Sequence, residues 1–395
     1  MAEWSKALDW NSSNIQKVFV GSNPTLSASI SERPARGVRL WGSTAVRDHR
    51  RLRRFCVASI LLGVLCACDR GATPLQLGGP TMGTTYSVTV TQRPAGVDRD
   101  TIEAAIAEVL NEADQHLSGW NDASELARFN AVDSAAWRPV SPVLLRVVEE
   151  AREVSERSGG AFDVTVGPLV RAWGFGAGAV EEPPAPAPEA IQRLLAQVGY
   201  EKLGLRSSPP ALRKAVTGVS IDLDGIAPGW AVDRIAERFE ALGITDYMVE
   251  IGGEVRARGQ SPDRRGWRVA VEKPLAGARL AQVVIELGNA GVSTSGDYRD
   301  YREINGRRIS HTIDPRTGQP VAHGLASVTV VHASVAAADA WATALMVLGP
   351  EEGMALARRE GLAALFIEHG GRAGEFVETE TPHFARLRRP LRTGL

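Results

Sequence analysis

Two side chains late in the chain have the spacing of a small oxygen-donor site. Asp339 and Thr343 lie four residues apart in "ADAWATA", residues 338–344. The periodicity there predicts a helix, so the two share one face. The rest of that helix is Ala, Val, Leu and Trp. A carboxylate beside a hydroxyl on an otherwise apolar helix suits a hard cation such as magnesium. That ion takes one or two protein ligands and completes its octahedron with water and substrate phosphate. The same spacing also fits a plain Asp–Thr hydrogen bond, and the residues alone leave both readings open.

A second concentration is "ISHTIDPRTGQP", residues 309–320. His311 ends a predicted strand, where an imidazole titrating near neutrality can act as general base. Asp314, Pro315 and Gly318 are turn formers, and Arg316 is placed to pair with Asp314. "GVSTSGDYRD", residues 291–300, is predicted as a small-residue turn with Asp297 behind Ser293, Thr294 and Ser295, without a GxSxG elbow. In "SIDLDGIAPGWAVD", residues 220–233, a strand runs through a glycine turn into a helix led by Pro228-Gly229. Unpaired N–H groups at a helix start favour phosphate. The GxxxxGK[ST] pattern is absent, and a plain connection reads equally well. The paired glycines of "VEIGGEVRARG", residues 249–259, interrupt a strand pattern and predict a bulge or a close approach to a flat ligand.

The elements that must position these residues follow from periodicity and punctuation. Strands are predicted at 84–90, 219–223, 246–256, 267–272, 280–287, 307–313 and 325–332. Ile102, Ile106, Leu110, Ala113 and Leu117 predict a helix over 100–117. Another begins at a Ser141 cap with Pro142 in its first turn and ends at Gly159-Gly160. Further helices are predicted at 189–198 and 229–242, and from a Ser334 cap to Leu348, stopped by Gly349-Pro350. The proline-rich 181–188 is a surface loop. Helices mix with hairpin-like strand pairs without strict alternation, which favours an α+β fold of mixed sheets over a doubly wound one.

Composition narrows the function. The 395 residues carry a formal net charge of −1 and show no long basic face, which argues against nucleic-acid binding. The three cysteines, Cys56, Cys66 and Cys68, all fall in one apolar run, so the remainder has neither disulfide nor thiolate metal site. That run follows a cluster of arginines, and 46–68 reads as a signal peptide. Its end, Leu65-Cys66-Ala67-Cys68, resembles a bacterial lipobox. This implies cleavage before Cys68, a lipid on its thiol and a place in the bacterial cell envelope. Asp69 points to the inner membrane, facing the periplasm. Residues 1–45 fit neither signal nor domain, and a start codon near Val46 is the expectation.

Taken together, eight motifs in order resemble the ApbE family of FAD:protein FMN transferases. They are "TMGTTYSV" (81–88), "SELARFN" (124–130), "GGAFDVTVGPLVRAWGFG" (159–176), "IDLDGIAPGWAVD" (221–233), "VEIGGEVRARG", "STSGDYR" (293–299), "SHTIDPRTG" (310–318) and "VAAADAWATAL" (335–345). The resemblance implies one large T-fold-like catalytic unit over 75–385. It implies that FAD is the substrate, with Mg2+ at its pyrophosphate. FMN passes to a Thr or Ser of an acceptor protein bearing a D-x-x-[ST]-G-A-T type motif, a redox-complex subunit, and AMP leaves. Carried over motif by motif, Met82, Ala161, Phe162, Asp163, Asp222 and Ile313 would contact FAD. Trp120 falls where the family has a flavin-side tyrosine. The Gly225 carbonyl with Asp339 and Thr343 would hold the metal. His311, and after it Asp297, would take the hydroxyl proton. Pro228 stands in a position where the family commonly has lysine, which removes a cation and an N–H near the cofactor. An FAD pyrophosphatase and a non-catalytic FAD-binding lipoprotein are the competing readings.

Overall fold

The computed structural model describes residues 73–390, apart from 181, 182, 278, 299, 300, 305 and 373, together with the backbone of Phe19–Val20. The predicted signal peptide, Cys68 and the rest of the 1–45 extension lie outside these residues. Phe19–Val20 runs parallel to Trp267–Glu272.

The main sheet has eight strands. Their order is Phe376–Glu380, Ala363–His369, Leu325–His332, Ala290–Gly296, Glu254–Arg258, Tyr247–Ile251, Thr84–Val90 and Leu75–Thr81, with every neighbouring pair antiparallel. Alternation along the strands divides their side chains between two cores. Val249, Ile251, Val328, Val330, Ala364 and Phe366 face the helices Arg99–Leu117, Pro142–Arg157, Ala227–Ala241 and Val335–Arg359. Met248, Val255, Val292, Val331, Leu365 and Ile367 face the hairpin Trp267–Glu272 and Ala281–Leu287. A smaller cluster of Leu169, Trp173, Phe175, Ile191, Val198 and Ile313 lies beneath the 309–320 turn. The class is α+β, as the sequence predicts.

Local differences have local causes. The predicted strand 246–256 is two strands, because Gly252 and Gly253 both take positive φ, 63° and 114°, as a two-residue hairpin turn requires. The predicted strand 219–223 joins no sheet. Its alternation comes from burial of Val219, Ile221 and Leu223. Its backbone is satisfied by Asn130, which donates to Ile221 O (2.7 Å) and accepts from Ile221 N (2.8 Å), and by a bond from Asp222 N to Val164 O. Residues 307–313 hold a strand only over Arg307–Ser310, paired with Tyr301–Ile304; Ile313 makes an isolated bridge to Pro320. The helix from Ser334 breaks at Gly349 (φ 79°), as read, but a second run follows from Pro350 to Arg359.

Candidate active site

The helix bearing Asp339 and Thr343 is seated at its start by another helix. Ser334 caps it by accepting from Ala337 N, and Asp233 accepts from Ser334 Oγ (2.8 Å), Val335 N (2.7 Å) and Ala336 N (3.1 Å). The other Asp233 oxygen receives Arg256 at 2.8 Å. Asp233 belongs to Ala227–Ala241, and that helix comes very close: a Cβ on Gly229 would stand 2.6 Å from Val335 O. The closeness brings the Gly229 N–H near the Asp339 carboxylate, where it favours the charged form.

Across from this helix runs the strand Ala290–Gly296, whose helix-facing residues are small. A Cβ on Gly291 would stand 2.4 Å from Val335 Cγ2. Two residues on, Ser293 Oγ lies 3.4 Å from Asp339 Oδ1; two further, Ser295 Oγ lies 3.3 Å from Thr343 Oγ1. Asp339 and Thr343 thus find polar neighbours on the strand instead of in each other. Ser293 Oγ also reaches Glu254 Oε1 at 3.3 Å, and the second oxygens of Glu254 and Asp339 are buried without a hydrogen bond. A buried polar atom left so is costly and points to a missing partner. Burial pushes the Asp339 carboxyl up to about 7. Burial, then the charge of Asp339, holds Glu254 well above the usual carboxylate range.

The third predicted metal residue joins them. A Cβ on Gly225 would stand 3.3 Å from Thr343 Oγ1 and 3.3 Å from Phe162 Cε2, so only glycine leaves this cradle open. Around it, Asp222 accepts from Asp224 N at 3.0 Å. Asp224 lies open at the rim near Trp120; the protein crowded round its carboxyl, then Asp222, push it up to about 7. Trp120 is 60% exposed, a flat face presented to solvent. A Cβ on Gly119 would meet Ala177 at 3.7 Å, and one on Gly176 would meet Asp222 Oδ2 at 3.8 Å, so the 174–178 loop closes the ring.

The other predicted residues are placed more variously. Met82 occupies the turn between the first two strands at φ 46° and packs on the main core. Ala161 is buried, as is Ile313, whose side chain packs among Leu169, Trp173 and Ile191 and leaves only backbone to offer a ligand. Asp163 is buried with both oxygens engaged: one takes Thr165 N (2.8 Å) and Thr165 Oγ1 (2.6 Å), the other Tyr200 N (2.7 Å). Its visible work is to fasten that loop. Pro228 sits in the first turn of its helix, where its lack of an N–H costs nothing. His311 follows the strand Arg307–Ser310 and stands edge-on to Phe175, centroids 6.3 Å apart, one residue from Gly176. Beyond it Asp314 and Arg316 close the turn. The guanidinium reaches both carboxylate oxygens at 2.9 and 2.8 Å, and Trp173 Nε1 donates to Gly318 O. Asp297 lies 3.7 Å from His369 Nε2 and 3.9 Å from Arg308, partners the sequence reading did not supply.

Four residues of the site escaped the sequence reading: Glu254, Ser293, Ser295 and Asp224. The sequence predicts a small-residue turn at "GVSTSG", but Ala290–Gly296 is a strand paired on both sides in the main sheet, and that alternation is what sets Ser293 and Ser295 on one face. Glu254 and Asp224 carried no signal beyond their neighbours. Among the described residues no three His, Cys, Asp or Glu side chains gather into a metal cluster. The donors here are instead one carboxylate, one hydroxyl and main chain.

Known proteins show the same architecture. The ApbE family model matches residues 82–366. The chain is 42% identical over 316 residues to the FAD:protein FMN transferase of Vibrio cholerae, covering 80% of this chain and 94% of that protein. To the Escherichia coli K12 protein of the same name it is 38% identical over 319 residues, 77% and 89% of the two chains. The crystal structure of Pseudomonas stutzeri flavinyl transferase ApbE in its apo form superposes with a TM-score of 0.73 at 41% identity, covering 80% of this chain and 96% of that one. The flavin transferase ApbE from Vibrio cholerae superposes equally, 0.73 at 39% identity, covering 80% and 99%. On the motifs, the antiparallel sheet and these likenesses, the chain belongs to the ApbE family.

Proposed function

We propose that this chain is an FAD:protein FMN transferase. A threonine or serine hydroxyl of an acceptor protein attacks the FMN phosphorus of FAD. A new P–O ester forms, the anhydride bond breaks, and AMP leaves carrying the bridging oxygen. The observation that carries this reading is the pairing of strand and helix, Ser293 with Asp339 and Ser295 with Thr343, with Gly225 opening onto the Thr343 hydroxyl. It is a compact oxygen-donor cradle beneath an exposed tryptophan.

The donor set suits Mg2+: Asp339 has an unengaged oxygen, Thr343 a hydroxyl, and the Gly225 carbonyl would complete the protein's share. Bound there, the ion would neutralise diphosphate charge and polarise the phosphorus. The chain's own residues do the rest. Gly229 N–H and Ser293 hold Asp339 in place. Trp120 offers the isoalloxazine a face to stack on. His311, with Asp297 as the weaker candidate, takes the acceptor's proton. Asp314 and Arg316 hold the turn that carries His311.

The acceptor would bear a D-x-x-[ST]-G-A-T type motif and belong to a redox complex. A lipid on Cys68 would hold the enzyme on the inner membrane, facing the periplasm. The test is to mix the protein with FAD, Mg2+ and such an acceptor. Gain by the acceptor of the mass of FMN is expected. Free FMN and AMP alone would make it a pyrophosphatase, and unchanged FAD a binding protein; either sinks the proposal.

A further inference from the structure

We propose that Arg171 is the protein cation that receives the diphosphate of the dinucleotide, on the Asp222 side of the mouth. The inference rests on the reading of FAD as substrate and adds to it a residue and a charge. It begins with a charge imbalance. Asp222 and Asp224 stand at the mouth and Asp339 and Glu254 share Ser293 on the strand side, and a diphosphate brings further negative charge to them. A polyanion arriving beside carboxylates needs opposing charge at short range.

The arginines nearby are mostly committed. Arg316 forks onto Asp314. Arg308 donates to Asp297 O and lies 3.9 Å over the Tyr301 ring. Arg302 donates to Trp173 O at 3.2 Å. Arg171 differs: among the described residues it makes no hydrogen bond and no ion pair. It is not out in water either, because its guanidinium is half-buried, and burial draws it below the usual arginine value against the pull of Asp222. Two glycines border it, and a third borders Asp222. A Cβ on Gly167 would stand 3.2 Å from Arg171 Nη1 and 3.4 Å from Asp222 Cβ, and one on Gly178 would stand 3.8 Å from Arg171 Cδ. Gly176 meets Asp222 Oδ2 in the same way at 3.8 Å. The guanidinium therefore lies along the 174–178 loop beside Asp222, three residues from Gly225. Its five donors, in a planar fork, match the oxygens of a phosphate. Pro228, on the neighbouring helix start, brings neither charge nor N–H to compete for the role.

The experiment is ligand titration of the whole protein by flavin fluorescence with Mg2+ present. FAD is compared with riboflavin, which has the isoalloxazine and no phosphate. Arg171→Gln should weaken FAD binding about tenfold or more and leave riboflavin unchanged. Arg171→Lys, which keeps the charge and loses the fork, should recover part of the loss. In the wild type, FAD affinity should fall with added salt more steeply than riboflavin affinity, a measurement that needs no variant to fold. FAD affinity unchanged in Arg171→Gln overturns the proposal. So does equal weakening of both ligands, which would mark Arg171 as packing. Wild-type protein that binds no FAD would instead refute the transferase reading, and this inference with it.

Discussion

In the proposed reaction Asp339 is the side chain on which the chemistry would turn, and its environment sets three expectations. Replacing it with asparagine removes the buried charge and the ligand together. Asp339→Asn should lower FMN transfer by at least about 100-fold. Mg2+ should raise the melting temperature of the wild type, and the substitution should abolish that rise. The metal-free wild type should show a pH signature as well. The folded carboxyl, at about 7, stands above its ordinary 3.8. Stability from this group is therefore whole at low pH and is lost as pH rises through 7. Differential scanning fluorimetry from about pH 5 to about pH 8 should show the metal-free melting temperature falling, and Mg2+ should remove the fall. His311 makes a separate expectation. His311→Ala should bind FAD as the wild type does and transfer FMN roughly 100-fold more slowly; an unchanged rate would exclude the histidine. At this scale the sequence was informative about Asp339 and Thr343, whose spacing is their geometry. It said nothing of Glu254, because a carboxylate on a strand carries no period of its own.

Elements bring these side chains together, and the tightest contact among them is the Gly229 crossing. Any Cβ there would meet the backbone of the neighbouring helix, with Val335 O at 2.6 Å and Ala336 N at 2.8 Å. Gly229→Ala should force the two helices apart and cost about 1–3 kcal/mol in chemical denaturation. The same movement would carry the Gly229 N–H away from the Asp339 carboxylate, so Mg2+ affinity should fall together with stability. Loss of stability alone would separate the packing role from the positioning one. The helix start at Ser334 and its break at Gly349 were legible because caps and breakers are local chemistry. The strand predicted at 219–223 was not, because its partners are an asparagine 91 residues away and a loop. The strand Ala363–His369 went unread for another reason: a short run buried on both faces has no alternation to distinguish it from helix.

At the scale of the molecule, one sheet divides two cores, and only one of them adjoins the site. Ile285 lies fully buried in the far one, among Trp267, Val292 and Leu365. Ile285→Ala should cost about 2–5 kcal/mol of stability and leave FAD affinity in the folded protein unchanged. A matched loss of affinity would show that the sheet transmits strain across its thickness. The α+β class was legible from hairpins and helices without alternation, whereas the order of the strands was not, since every pairing is a long-range choice. The division by the sheet also limits how the site can vary. Two residues of strand advance about 6.6 Å and four of helix about 6 Å. Gly291, Ser293 and Ser295 therefore keep step with Val335, Asp339 and Thr343 like the teeth of two racks, drifting by about 0.6 Å at each tooth. Deleting Val292 with the strand before it held in register would turn both hydroxyls toward the far core and set Thr294 against the carboxylate. Loops around this mouth can lengthen or shorten, but that strand can change only in steps of two.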